Sequence, residues 1–275
     1  VSPPVTEHLR TVNGLEFLVD DQGAGPVVLL AHGMWCDASM FAELAADLAR
    51  DHRVLVPDLR GHGRTAVPEA PWTIADLADD LRALLDDFQV ERALVAGFSM
   101  GGMAAVDFAL RYPDRLSALA LMGTSAAADE WLRVTEIRAL ATLIAKAGRP
   151  RFLGREAARS TFSAAFRQEH PAAVTRWEHA VQAMPREALV AALRAVGERP
   201  SRLDRLEEIR VPTLIITGSE DRILNPRWSL AMARRIPRAR LAAFPGVGHA
   251  IPMERPVDVA AWIRGLETGR YPGDR

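Results

Sequence analysis

Three residues far apart in the chain are of the types that nucleophilic acyl chemistry needs. They are Ser99 in Gly97-Phe98-Ser99-Met100-Gly101, Asp221 in Gly218-Ser219-Glu220-Asp221-Arg222-Ile223, and His249 in Gly246-Val247-Gly248-His249-Ala250. A serine hydroxyl is a poor nucleophile at neutral pH, so it needs a base to take its proton. A histidine fills that role when a carboxylate fixes its tautomer. The pentapeptide around Ser99 fits G-x-S-x-G, in which small residues allow a tight strand-to-helix bend that exposes the serine oxygen. Taken alone it decides nothing, because a serine between a strand and a helix is also an ordinary N-cap, and Gly-rich turns of this kind also bind phosphates.

The elements that must position these residues are readable from periodicity. Short apolar runs at 16–20, 27–31, 54–56, 93–96, 119–122, 213–217 and 240–244 read as strands, and the stretches at 39–50, 73–88, 99–111, 228–236 and 256–266 read as helices. Continuous apolar strands separated by helices predict an α/β fold with a mainly parallel sheet covered on both faces. Ser99, Asp221 and His249 each fall just beyond the C-terminal end of one of these strands, the edge at which open α/β sheets bind ligands.

Between the strands at 119–122 and 213–217 the pattern is helical only, too long for a loop. The spacing predicts about four short helices over residues 125–202 forming a cap above the strand ends, with residues 1–124 and 203–275 as the core. Trp131, Phe152, Phe162, Phe166 and Trp177 fall on the faces of these helices, where packing onto the body accounts for most of them and pocket lining for the remainder. A small apolar pocket is expected between Trp35 and Met100 of the body, Trp131, Phe162 and Trp177 of the cap, and Ile223 and Ile251 of the acid and histidine loops.

A fourth element is the loop Ala31-His32-Gly33-Met34-Trp35 after the strand at 27–31. With HGMW, DLRGHGRT at 58–65, GFSMGG, GSEDRILNP and GVGHAIPMERP, the chain resembles the α/β-hydrolase superfamily, its serine-nucleophile esterase and enol-lactonase branch, over about residues 16–266. Only the cap lacks recognisable motifs. The resemblance implies an α/β-hydrolase fold with an inserted helical cap and the chain order nucleophile Ser99, acid Asp221, base His249. It also implies an oxyanion hole from the backbone N–H groups of Met34 and Met100, and no cofactor. Glu220, or Asp129 or Glu130 after the strand preceding the cap, stay open as alternative acids.

Relatives that open epoxides or remove halides carry an aspartate at the elbow, and Ser99 departs from them. The resemblance therefore implies a hydrolase of small to medium carboxylic esters or lactones. A 3-oxoadipate enol-lactonase or carbon–carbon bond hydrolase of aromatic catabolism, a cofactor-free haloperoxidase or perhydrolase, and a ligand receptor that keeps the triad are the alternatives. The enol-lactone reading draws on Arg133, Arg138, Arg149, Arg151, Arg155 and Arg159 of the cap, which a solvated helix face explains as well.

Composition narrows the remaining classes. A net charge of −1 offers no field for nucleic acid, and 49% apolar with 25% charged residues is ordinary for a globular domain. No apolar run approaches the roughly 20 residues of a membrane span, and VSPPVTEHLR lacks the layout of a signal peptide. A cytoplasmic monomer or homodimer acting on a small molecule is expected. Cys36 is the only cysteine, which excludes an intrachain disulfide and reads as a small buried apolar side chain. The histidines show no metal-ligand spacing. His32 is expected to bond to backbone and hold the oxyanion loop, and His62 to belong to a structural loop.

Overall fold

The computed structural model describes residues 4–150 and 152–274. Eight strands form one sheet: β1 (Val5–Val12), β2 (Leu15–Gly23), β3 (Val27–Ala31), β4 (Arg53–Pro57), β5 (Ala93–Phe98), β6 (Leu116–Met122), β7 (Thr213–Gly218) and β8 (Ala239–Phe244). Their order is β1-β2-β4-β3-β5-β6-β7-β8. β2 pairs antiparallel with both β1 and β4, while β4, β3, β5, β6, β7 and β8 pair in parallel.

Alternation along the central strands decides the two layers. Leu29, Val95, Leu119 and Ile215 point to one face, where α2 (Ile74–Asp87) and α3 (Met100–Arg111) cover them with Leu77, Leu81, Ala104 and Phe108. Val28, Leu30, Leu94, Leu214 and Ile216 point to the other, under α1 (Ala42–Leu48) and α11 (Pro256–Thr268). Both faces are thus occupied, which is why β5 and β7 are buried at every position. The start of α2 is fixed by a capping box: Thr73 Oγ1 accepts from the Asp76 N–H and Asp76 Oδ2 accepts from the Thr73 N–H.

Some elements differ from expectation. β1 has no counterpart in the sequence reading, because its side chains alternate at an exposed edge without an apolar run. Asn13-Gly14 between β1 and β2, with φ of 49° and 76°, is the hairpin signal that would have found it. The helix expected at 39–50 begins as a 3-10 turn, Ala38–Phe41, capped by Asp37.

Between β6 and β7 the chain forms five helices rather than about four: α4 (Trp131–Ala147), α5 (Leu153–Thr161), α6 (Ala164–Glu169), α7 (Pro171–Ala183) and α8 (Arg186–Gly197). The break at His170-Pro171 is the one the sequence marks; the additional one falls at Phe162-Ser163, where Phe162 is extended, with φ −100° and ψ 145°, and Ser163 caps α6 by accepting from the Phe166 N–H at 3.2 Å. Ile137, Ala141 and Ile144 of α4 pack with Leu189 and Leu193 of α8 and Leu153 of α5 in a small cluster, while Ala192, Ala195 and Val196 of α8 join the core that α2 and α3 cover. Ala158, Phe162, Phe166, Trp177 and Val181 of α5 to α7 instead join the core beneath the sheet. Two short helices complete the body, α9 (Arg227–Ala233) and α10 (Ile251–Glu254).

Candidate active site

β5 passes to α3 through one residue, Ser99, whose φ of 50° and ψ of −115° are adopted by an L residue only where its surroundings enforce them. Packing does so here. A Cβ on Gly97 would lie 2.4 Å from the Gly101 carbonyl oxygen, and one on Gly101 would lie 2.1 Å from that of Ala31. Only hydrogen fits at either place, and the bend presses on the end of β3. Ser99 occupies the N-cap position of α3, yet its hydroxyl makes no capping bond. Its Oγ lies 3.0 Å from His249 Nε2.

His249 Nδ1 lies 2.7 Å from Asp221 Oδ2. The other carboxylate oxygen accepts from the N–H groups of Ile223 at 2.9 Å and Leu224 at 2.8 Å, which fixes the acid's orientation. Both side chains are buried, His249 at 5% and Asp221 at 0% exposure. Among the carboxylates that the sequence left open, Asp221 is the one brought to His249. Glu220 is exposed, Asp129 pairs with Arg199 at 2.7 Å, and Glu130 pairs with Arg227 at 2.6 Å. A hydroxyl, an imidazole and a carboxylate linked in this order can move the hydroxyl proton to the ring as the oxygen attacks.

Met34 and Met100 both line the cavity above Ser99. Met100 is the first residue of α3, so its N–H is among the donors a helix leaves free at its start. The N–H of Met34 shares a peptide with the Gly33 carbonyl, which accepts from His32 Nδ1 at 2.8 Å and from the Cys36 N–H at 3.3 Å. In a trans peptide the two groups point opposite ways, so these bonds set the direction of the Met34 N–H. His32 Nε2 in turn accepts from the Leu59 N–H at 2.9 Å. That pattern requires a neutral ring, and burial pushes the His32 pKa down to about 4. His62, buried beside it, is pushed down to about 3, again chiefly by burial. Burial likewise pushes the Cys36 thiol up to about 12, leaving it protonated and no rival to Ser99.

The cavity holds about 360 Å³ and is mainly apolar. Trp35, Trp177 and Ile223 line it, as expected, but Trp131, Phe162 and Ile251 do not. Trp131 opens α4 with 75% of its surface exposed. Phe162 is buried, stacked on Phe166 and edge-on to Trp177. Ile251, the first residue of α10, is fully buried in the core under the histidine loop. Their places are taken by Ile137 and Leu140 of α4, Leu193 and Val196 of α8, and Met103 of α3. The sequence signal for these was the apolar stripes of α4 and α8 rather than the aromatic residues.

Most of the insertion's cations are neutralised or turned to solvent. Arg133, which does line the cavity, pairs there with Glu136; Arg138 pairs with Glu198 and Arg159 with Glu156, and Arg149 donates to the Met184 carbonyl. Arg155 is exposed; Arg151 lies outside the described residues. Arg222, beside the acid, lines the cavity and among the described residues has no carboxylate within 4.0 Å.

Comparison with known proteins agrees with this architecture. The model of the alpha/beta hydrolase family matches residues 28–262. A malate-bound thermophilic esterase from Thermogutta terrifontis superposes with a TM-score of 0.88 at 32% identity, covering 97% of this chain and 98% of that one. An enol-lactonase from Burkholderia xenovorans LB400 does so with a TM-score of 0.85 at 26% identity, covering 95% of this chain and 100% of that one. By sequence, 3-oxoadipate enol-lactonase 2 of Acinetobacter baylyi is 27% identical over 207 residues, 75% of this chain and 76% of that protein. No helix among the described residues is long and apolar enough to cross a membrane. The family match extends from β3 to α11 and takes in the Ser99 bend, the Asp221 turn and the His249 loop, so the chain belongs to the alpha/beta hydrolase family and is a hydrolase.

Proposed function

We propose that the chain is a serine hydrolase that cleaves carboxylic esters or lactones of small to medium size through an acyl-enzyme. The observation that carries this reading is the hydrogen-bonded series from Ser99 Oγ to His249 at 3.0 Å and on to Asp221 at 2.7 Å, at the wall of an apolar cavity. In the first half-reaction Ser99 Oγ attacks the ester carbonyl while His249 Nε2 takes its proton. The oxygen then bears the negative charge, facing the N–H groups of Met34 and Met100. Collapse expels the alkoxide, which leaves with the proton from His249, and the acyl group stays on Ser99. Water repeats the sequence, giving its proton to His249, and the acid departs as Ser99 recovers its hydrogen. A cavity of about 360 Å³ suits a short or medium acyl chain and gives no groove for a long one.

A second reading, a lactone or ester that carries its own carboxylate, is favoured by Arg222. It is the cation lining the cavity that lacks a carboxylate partner among the described residues. The similarity to enol-lactonases, and to an esterase described with malate, points the same way.

The experiment is turnover of p-nitrophenyl acetate and butyrate by the wild-type protein and by Ser99→Ala, with mass spectrometry after a fluorophosphonate. Activity should vanish in the variant while the protein stays folded, and the adduct should map to Ser99. Activity in the folded variant within tenfold of wild type, or an adduct elsewhere, refutes the assignment. Single-turnover release by the wild type would favour a receptor over an enzyme.

A further inference from the structure

We infer that Glu254 is a positioning residue for His249, a carboxylate strap that fastens the helical insertion to the histidine loop; the inference rests on the role proposed above for His249. Glu254 lies in α10, five residues after His249, and spends both oxygens on backbone. Oε1 accepts from the N–H of Ser163 at 3.0 Å, at the corner between α5 and α6, and Oε2 accepts from the N–H of Gly248 at 3.2 Å. Among the described residues no Arg, Lys or His nitrogen approaches it within 4.0 Å. A carboxylate without a cation that bridges two backbone donors acts as a bracket, and hydrogen bonds to an ionised acceptor are stronger and shorter than neutral ones.

Two further observations place the same corner against the base. The Thr161 carbonyl, in the last residue of α5, accepts from the N–H of His249 at 2.8 Å and from that of Ala250 at 3.0 Å. A Cβ on Gly248 would meet the Ser163 nitrogen at 2.5 Å and Glu254 Oε1 at 2.8 Å, so the loop can lie this close to the insertion only with glycine there. The backbone of His249 is therefore held from two sides, by Thr161 directly and by Glu254 through Gly248. Its ring must stay within hydrogen-bond reach of both Ser99 and Asp221, a tolerance that a drift of about 1 Å exceeds.

The test separates the strap from ordinary packing. Phe162 has φ −100° and ψ 145°, and Ser163 has φ −60°, values that a proline at 163 and the residue before it accept. Ser163→Pro removes the N–H that binds Glu254, and its Cδ, in the place of that hydrogen, turns the carboxylate away; the hydroxyl that caps α6 goes with it, whereas Ser163→Ala removes the hydroxyl alone and serves as its reference. Glu254→Gln keeps the shape and one acceptor oxygen, and Glu254→Ala removes both.

On p-nitrophenyl butyrate, kcat should fall roughly ten- to a hundredfold in Glu254→Ala, and by at least about tenfold in Ser163→Pro relative to Ser163→Ala. KM should stay within about threefold, and Glu254→Gln should lie between wild type and Glu254→Ala. The rate of fluorophosphonate labelling at Ser99 should fall with kcat. Folded Glu254→Gln and Ser163→Pro proteins whose kcat stays within threefold of their references overturn the strap, as does a loss confined to KM. If Glu254→Ala does not fold, the isosteric Glu254→Gln and the Ser163 pair decide alone. A wild-type protein that neither turns over esters nor labels at Ser99 fells the hydrolase role of His249 and the strap with it; an active wild type with indifferent variants fells only the strap.

Discussion

Replacing Gly101 by alanine adds one methyl group and should cost the protein most of its activity. The added Cβ would lie 2.1 Å from the Ala31 carbonyl oxygen, 2.5 Å from the Ala31 carbonyl carbon and 2.6 Å from the His32 carbonyl oxygen. All three are backbone atoms at the end of β3, so no side chain can swing aside. Ordinary contact requires more than about 3 Å, so α3 and the β3 end must part by roughly 1 Å. Overpacking of this kind costs about 1–3 kcal/mol, or roughly 2–12 °C in Tm for a chain of this size. The catalytic cost is larger, because the parting surfaces carry the Met100 and Met34 N–H groups. Misplacement of about 1 Å costs about a hundredfold, and loss of one oxyanion donor costs about 10²–10³ in kcat. Steady-state kinetics on p-nitrophenyl butyrate, with Tm by calorimetry, should show kcat reduced by about 10² and a folded protein. A Gly101→Ala variant with kcat within fivefold of wild type would show that the contact between the bend and β3 does not hold the donors in place.

Three more outcomes follow from the same geometry. Asp221→Asn should lower kcat by about 10⁴ with little change in KM, whereas Asp129→Asn, which breaks the pair with Arg199, should act mainly on stability; the reverse result would move the acid to the start of the insertion. His32 and His62 are neutral in the fold, their pKa values pushed from an ordinary 6.5 down to about 4 and about 3, so the unfolded chain binds more protons below pH 6.5 and stability falls as pH drops from 6.5 toward 4. Each contributes about 1.4 kcal/mol per pH unit in that window, and urea titrations at pH 7 and pH 5 should show His62→Phe losing about half of their joint slope. Trp177→Ala, which opens the cavity wall, should move the optimum of a p-nitrophenyl ester series to longer acyl chains, while Trp131→Ala, on the exposed surface, should leave it in place; an unmoved optimum in the first variant would mean that Trp177 packs without bounding the acyl site.

What could be read from the sequence was whatever local pattern alone determines. The Ser99 bend is written in Gly97 and Gly101 because a Cβ at either would strike backbone, and Asp221 and His249 are legible because each follows a short apolar strand, fully buried in β7 and partly so in β8. Pocket residues were read less well, since spacing gives the face of a helix but not what that face meets. α4 is apolar on both sides, with Ile137, Ala141 and Ile144 inward and Trp131, Leu132 and Leu143 exposed, so periodicity could not assign Trp131 to the cavity or to solvent. Phe162 faces inward, but toward Phe166 and Trp177 in the core shared with the sheet. Glu254 was invisible because its partners are backbone N–H groups, which every residue but proline offers.

The distribution of the insertion among the apolar clusters sets how it unfolds. Because Phe162, Phe166, Trp177 and Val181 belong to the same cluster as Val28, Leu214 and Ile216, opening α5 to α7 also breaks into a core, and their amides should exchange with solvent deuterium more slowly than those of α4. α4 rests on the small cluster that its Ile137, Ala141 and Ile144 form with Leu153, Leu189 and Leu193, whereas α8 is also tied to the main core through Ala192, Ala195 and Val196, so α4 can separate from the rest as a sub-global unit of lower opening free energy. Two residues that leave with this helix, Ile137 and Leu140, also line the cavity. α4 should therefore open more readily than the helices beside it and give a substrate its way in, and deuterium uptake in α4 should slow once an acyl group is held on Ser99.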